Sequence, residues 1–364
     1  MKAINNSPEN GGSKYIYVKY TRPSTPISDD LEFPEGTYVL GKGKVSETED
    51  PASYDYKPGN DGIPTSNPRK SGISLFTKVL GSDSDLANIE VYNYHILATP
   101  DNGSQVVQDK AISLCETTGE SFYLVDPPQG LAYNEVVKYE NGEGNFGRNS
   151  ALNSSYEGIF HDWLMDYDED NENYVWCPPS VFILELLLRN DKQYGCWYAP
   201  AGDNRGTIVA SDYASSPSLT QRDYMYGENT VNPIVNFASK GLELYGEKTC
   251  LRNETNPMSR IHVRRMAIYI KKLIKEALSG FIFESNSPSV WSRMVSVISQ
   301  ILEPIKQQDG IDQYLVQIDN STMSETDIAN SICRGIVKIV PTGSIEVIEL
   351  SLTYGSFGAN IEEL

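Results

Sequence analysis

Residues that could do chemistry are few and scattered in this sequence. It has 3 histidines, His95, His161 and His262, none within metal-ligand spacing of another. A lone histidine in such a setting is ordinarily a hydrogen-bonded structural residue. No HExxH, GxSxG, Walker A or GxGxxG pattern is present, and Gly41-Lys42-Gly43 lacks a following apolar helix and reads as a turn. Asp166, Asp168 and Asp170 have the alternation of a calcium loop. That loop needs Gly at its sixth position and Glu at its twelfth, where this chain has Asn171 and Cys177. A solvated acidic loop is the better reading. Paired carboxylates for acid–base work usually lie far apart along a chain, and no pair stands out. No catalytic, cofactor-binding or metal-binding residue is assigned.

One local contrast survives. Arg260, Arg264, Arg265, Lys271, Lys272 and Lys275 crowd a single helical stretch of a chain whose net charge is −19. Either this is a solvated face balanced by nearby acids, or it is a cationic strip that docks an acidic partner.

The elements that carry these residues can be read from periodicity. Met258 to Ser279 predicts a long helix with Met266, Ile270, Leu273, Ile274 and Ala277 on one face, ended by Gly280. Ser287 caps a second helix with Pro288 in its first turn, and Trp291, Met294, Val295, Ile298, Leu302 and Ile305 form its stripe. Leu315 to Ile318 predicts a strand, Thr322 with Glu325 a capping box for a short helix through Ile332, and Ile336–Val340 and Ile345–Leu352 two further strands. Upstream, Asn93–Ala98 and Ser121–Val125 are strands on either side of a helix over Ser104–Thr117, the mark of a βαβ unit and a partly parallel sheet. Val181 to Leu188 is apolar nearly throughout and fits a buried strand or a buried helix equally. Residues 1–70 are rich in Pro, Gly, Ser, Asn and Asp, with short strand candidates at Tyr15–Val18 and Thr37–Leu40. The expected organisation is therefore a loop-rich region 1–70, an α/β domain 71–250 and a compact α+β domain 251–364.

Composition sets bounds. At 364 residues the chain can build sizeable cores, and 39% hydrophobic with 22% charged residues is an ordinary globular balance. The acidic surplus argues against nucleic-acid or anionic-membrane binding by the whole surface. No run approaches the roughly 18 apolar residues of a membrane span, and the polar stretch Met1–Gly12 has no apolar core of a secretory signal. The 5 cysteines (Cys115, Cys177, Cys196, Cys250 and Cys333) never form a CxxC pair, which favours reduced, packed thiols and synthesis in a cytoplasm. Tyrosine is in excess, 23 against 10 phenylalanines, which suits half-buried contact surfaces.

Four passages carry a family resemblance. Trp176-Cys177-Pro178-Pro179-Ser180, then Tyr194-Gly195-Cys196-Trp197-Tyr198-Ala199-Pro200-Ala201-Gly202 and Arg205-Gly206, resemble the "PPS…GVWKAPAG…RG" passage of contractile tail sheath proteins of myophages, R-type pyocins and related injection machines. Val231-Asn232-Pro233-Ile234 with Gly241 to Thr249 is similar to that family's "INPI…GIVVWGART". His262-Val263-Arg264-Arg265 into Ile268-Tyr269-Ile270, then Phe283 to Asn286 and Trp291, resemble "NVRRLLIYIE…FEPND…W". Asp327-Ile328 and Val337 to Pro341 match the closing strands.

The resemblance implies a structural subunit that uses no cofactor, forms hexameric rings stacked in a helical sheath, and contracts to drive a rigid tube through a target envelope. Its implied partners are neighbouring subunits, joined by exchanged terminal strands, the inner tail tube protein, and the baseplate and tail terminator; nucleic acid and membrane insertion are not among them. The α+β domain would face the tube, with Arg260, Arg264, Arg265, Lys271, Lys272 and Lys275 as contacts and Arg293 and Lys306 as secondary ones. The protein would be made in a host cytoplasm and reside in the virion. The family's N-terminal "PGVY" strand is not evident and the stretch after Leu352 is short, which implies a trimmed core; the insert-rich first 70 residues imply a large myophage of the phiKZ type. Two alternatives stay open: a pyocin or type VI-like sheath, and an α/β hydrolase-like enzyme with an unrecognised carboxylate site.

Overall fold

The computed structural model describes residues 37–39, 43–45, 68–100, 102–144 and 146–346. The chain divides into two units, 1–72 and 73–364. In the first, strands β1 (Thr37–Val39) and β2 (Gly43–Val45) pair antiparallel, Thr37 opposite Val45. The strand expected at Tyr15–Val18 lies outside the described residues. Helix α1 (Pro68–Val79) runs across the division.

The second unit is built on a five-stranded sheet. Its strands are β3 (Ile96–Ala98), β4 (Phe122–Val125), β5 (Glu157–His161), β9 (Val231–Phe237) and β10 (Gly241–Leu244), in the order β10-β9-β5-β4-β3. The pairs β3–β4, β4–β5 and β5–β9 are parallel, while β9–β10 is an antiparallel edge. Helices α2 (Gln105–Thr118) and α3 (Tyr133–Glu140) connect the first three strands. They cover one face, where Val107, Ala111, Leu114, Val136 and Val137 meet Tyr123, Val125 and Ile159. The opposite face packs Phe122, Leu124 and Phe160 against Phe182, Ile183, Leu186 and Leu187 of helix α4 (Pro179–Gln193). A sheet covered on both sides has no polar face, which is why β4 reads as an unbroken apolar run.

Between β5 and β9 the chain makes an excursion. Strands β6 (Leu164–Asp168) and β7 (Asn173–Cys177) form a hairpin, with β8 (Asp212–Tyr213) on the other side of β6. Helix α5 (Leu219–Arg222) is a single turn that leads into a π-helical turn at Asp223–Gly227.

The C-terminal part pairs helices α6 (Ile261–Ser279) and α7 (Pro288–Gln307) with a two-stranded antiparallel sheet, β11 (Ile311–Gln317) and β12 (Ile336–Pro341). Helix α8 (Glu325–Ala329) lies between the strands in sequence. Met266 and Ile270 of α6, with Ile298, Leu302 and Ile305 of α7, make a third core against Tyr314, Val316, Val337 and Ile339. Helix α6 belongs to two cores, because Ile261 and Ile268 pack on the parallel sheet. The expected boundary at 250/251 thus runs through the second unit. The fold is α/β joined to α+β, as the sequence implies.

Several boundaries differ from expectation. Helix α6 starts at Ile261, because Pro257–Ser259 form a 3-10 turn capped by the Asn256 side chain, which accepts the Met258 amide. The capping box begins at Ser324, not Thr322. Ser324 Oγ accepts the Asp327 amide and the Asp327 carboxylate accepts the Ser324 amide, while the Thr322 hydroxyl donates to the carbonyls of Asp319 and Arg334. The short helix therefore ends at Ala329 rather than Ile332. The strand expected over Ile345–Leu352 is not formed at residues 345 and 346, and its remainder lies outside the described residues.

Candidate functional site

The cationic helix is tied into the molecule along most of its length. Arg265 is buried and forms a two-pronged ion pair with Asp191 of α4, one arm at 3.0 Å. Arg264 donates to the Ser155 hydroxyl and lies 4.1 Å from the centre of the Tyr156 ring, and its burial pulls the guanidinium below its usual range. Lys272 donates to the Asn93 side chain at 2.8 Å and the Tyr94 carbonyl at 2.6 Å. Burial lowers the Lys272 pKa, against the pull of Glu120. Lys271 donates to the carbonyls of Thr118 and Gly119, and Lys275 to the buried Glu120 at 3.1 Å. Arg260 meets Glu346 at 2.6 Å. On α7 and its flanks, Arg293 sits 5.3 Å from the Phe281 ring and Lys306 5.8 Å from the Tyr314 ring. Lys271, Lys275, Arg293 and Lys306 remain exposed to solvent.

The histidines have structural surroundings. His161 Nε2 lies 2.8 Å from the Leu131 carbonyl oxygen. His262, buried, has Nδ1 2.5 Å from Glu247 and Nε2 3.5 Å from the Thr342 carbonyl oxygen. The Ser344 hydroxyl donates to the same Glu247 carboxylate, so this pair pins the stretch after β12. His95 is half-buried, and burial followed by the charges of Lys272 and Arg265 lowers its pKa.

The acidic loop forms the β6–β7 turn. Asp168 accepts the amides of Asp170 and Asn171 and the Asn171 side chain at 2.6 Å, which hold its pKa below the ordinary aspartate value. Among the described residues no three metal-ligating side chains converge. All five cysteines are free thiols, and burial pushes those of Cys115 and Cys196 up to about 12.

Two buried carboxylates went unnoticed in the sequence. Burial raises the Glu157 pKa to about 8, against the opposing charge of Arg148 and the Ser154 amide. Glu140 is also raised by burial; it accepts the Thr230 hydroxyl and lines a polar cleft of about 410 Å3 with Asn141, Arg252 and Glu254. Neither is joined to a histidine or to a second carboxylate by a hydrogen bond. Nothing in their sequence context signals burial, since Glu157 opens a strand and Glu140 closes a helix.

The β11–β12 sheet has two strands and a partly bare outer face. One face packs on α6 and α7, while Leu315, Ile336 and Val340 stay exposed. Two-stranded sheets are marginal alone and ordinarily gain further strands. Among the described residues this one has only β11 and β12.

No family model matches the chain. It is similar over 97% of its length to the tail sheath protein of Enterobacteria phage T4, 28% identical over 356 residues. It is similar over 98% of its length to the tail sheath protein of Vibrio phage KVP40, at 25% identity. In each case the match covers 51% of the relative, so the chain spans about half the length of the curated relatives it matches. The fold is similar to that in the PVC sheath complex of an extracellular contractile injection system in its contracted state (TM-score 0.61, 22% identity, 76% of this chain and 75% of that one). It is also similar to the contracted helical sheath of the anti-feeding prophage (TM-score 0.58, 20% identity, 79% and 83%). The resemblance carried by the four sequence passages to tail sheath proteins is thus borne out.

Proposed function

We propose that the chain is a mechanical subunit of a contractile phage tail sheath, polymerising around an inner tail tube and contracting to drive it through a host envelope. The observation that carries this reading is the similarity, over 97% and 98% of this chain, to two phage tail sheath proteins of which it spans about half. The exposed β11–β12 sheet supports it, because strands donated by neighbouring copies would complete the sheet and join the copies. Hexameric rings in a helical stack, a baseplate and a terminator follow from the same reading, as does residence in the virion. Energy would be stored in the packing of copies rather than drawn from a bound nucleotide or a catalytic step.

Within it, the 251–364 region faces the tube and presents its exposed cations. The eight basic residues are not equivalent candidates. Arg265 is already committed to Asp191, and its reversal would break the fold. The useful test is reversal of Arg293 and Lys306 to Glu, which should leave the subunit folded and lower its co-assembly with tubes.

The primary experiment is negative-stain microscopy of the chain produced alone and with its tube protein. Striated tubes are expected. Persistent monomers of a protein that carries both linking strands would overturn the reading and return attention to the Glu140 cleft.

A further inference from the structure

The turn between α6 and α7 combines two costly features. Phe283 is 103% exposed and Ile282 beside it 65% exposed, so the tip of the helical hairpin presents bare apolar surface. Phe283 also has φ of +71°, in the left-handed region that bulky side chains avoid. The Glu284 amide donates to the Phe281 carbonyl at 3.1 Å, which makes 281–284 a tight turn. Phe283 holds its third position, where glycine or asparagine is the ordinary occupant when φ is positive. Neither the strain nor the exposure serves the fold of a single copy. Features of this kind persist where they serve a contact.

A receptor for such a side chain exists on the same molecule. A cleft of about 480 Å3 opens between α4 and α6, walled by Ile96, Leu184, Leu188, Trp197, Ile268 and Tyr269. Trp197 is seated by two glycines: a Cβ at Gly195 would lie 2.6 Å from its ring, and one at Gly310 2.7 Å. Its indole N–H is shielded from solvent yet has no acceptor. The cleft therefore suits an occupant that brings an apolar ring. The tip supplies one, the exposed ring of Phe283. The charged groups in the wall, Asp191 and Arg265, are paired with each other, so the apolar walls are what the cleft offers an occupant.

The two features cannot meet within one copy. Tyr269 is in the cleft wall, and the helix from Tyr269 to Ser279 alone spans about 15 Å at 1.5 Å per residue. A contact between different patches of identical chains is head-to-tail, and repeats into a ring or a helix.

We infer that Phe283 is an aromatic anchor that inserts into the Trp197–Tyr269 cleft of a second copy of this chain. This rests on the reading of the chain as a polymerising subunit. The test is Phe283→Gly in the full chain, compared with wild type for thermal stability and for tube assembly. The variant should melt at the wild-type temperature or above it, because the strain is relieved, and should assemble at least tenfold less. Leu188→Asp, at a cleft-wall position already 55% exposed, should also stay folded and lose assembly. A benzoylphenylalanine photo-crosslinker at position 283, used on mixed isotope-labelled and unlabelled copies, should join peptides of different copies at 184–197 or 265–269. Wild-type assembly by Phe283→Gly, or crosslinks solely to the tube protein, would overturn the anchor while leaving the sheath reading intact. If wild type with both linking strands present forms no tubes at all, the sheath reading fails and the anchor with it.

Discussion

Arg265 and Asp191 stand 74 residues apart in sequence and form a salt bridge between α6 and α4. Asp191→Ala should leave a guanidinium buried without its carboxylate and cost about 3–5 kcal/mol in urea unfolding. Paired replacement, Arg265→Met with Asp191→Leu, should cost much less. Glu157 makes a prediction about pH. Its folded-state pKa, about 8, lies above the ordinary value of 4.5, so the folded chain holds a proton that the unfolded chain releases. Its contribution is therefore fully present below about pH 4.5 and is lost as pH rises towards 8. Glu157→Gln should flatten that decline in a series of melts between pH 5 and 8, and should stabilise most at the alkaline end. Little of this was legible beforehand. A run of cations can be recognised from sequence, but whether it faces solvent depends on acceptors such as Glu120 and Asn93, far along the chain.

Elements were legible where one face meets water. Helices α6 and α7 each have one apolar stripe and one polar face, and the sequence shows both. Val181–Leu188 stayed undecided because α4 buries Phe182, Ile183, Leu186 and Leu187 yet also exposes Val181 and Leu188, so its apolar residues run all the way round. The β6–β7 hairpin was hidden because Tyr167, Tyr174, Val175 and Trp176 are exposed along its strands, which erases the inward–outward alternation. At this scale the third core is the sharpest target. Leu302 of α7 is fully buried, and Leu302→Ala should cost about 2–5 kcal/mol by urea unfolding, with a lower melting temperature as the check.

For the whole molecule, the net charge of −19 opposes any assembly of identical copies. Raising salt from about 0.01 M to 0.15 M shortens the screening length from roughly 30 Å to 8 Å. Tube formation by the chain alone should therefore increase over that range, measured by sedimentation. A decrease would mean that attraction between unlike patches outweighs the overall repulsion.

Helix α6 is a wall of two cores at once: Ile261 and Ile268 lie against the parallel sheet, Met266 and Ile270 against α7 and β11. Tension applied at the β11–β12 sheet would enter the rest of the unit through this rod, locked on both sides by its side chains, and through the His262 and Glu247 contacts that pin the stretch after β12. The load path has no hinge along α6, so the second unit should respond to force as one stiff block. In a single-molecule pulling experiment from β12, it should rupture in one step, not two.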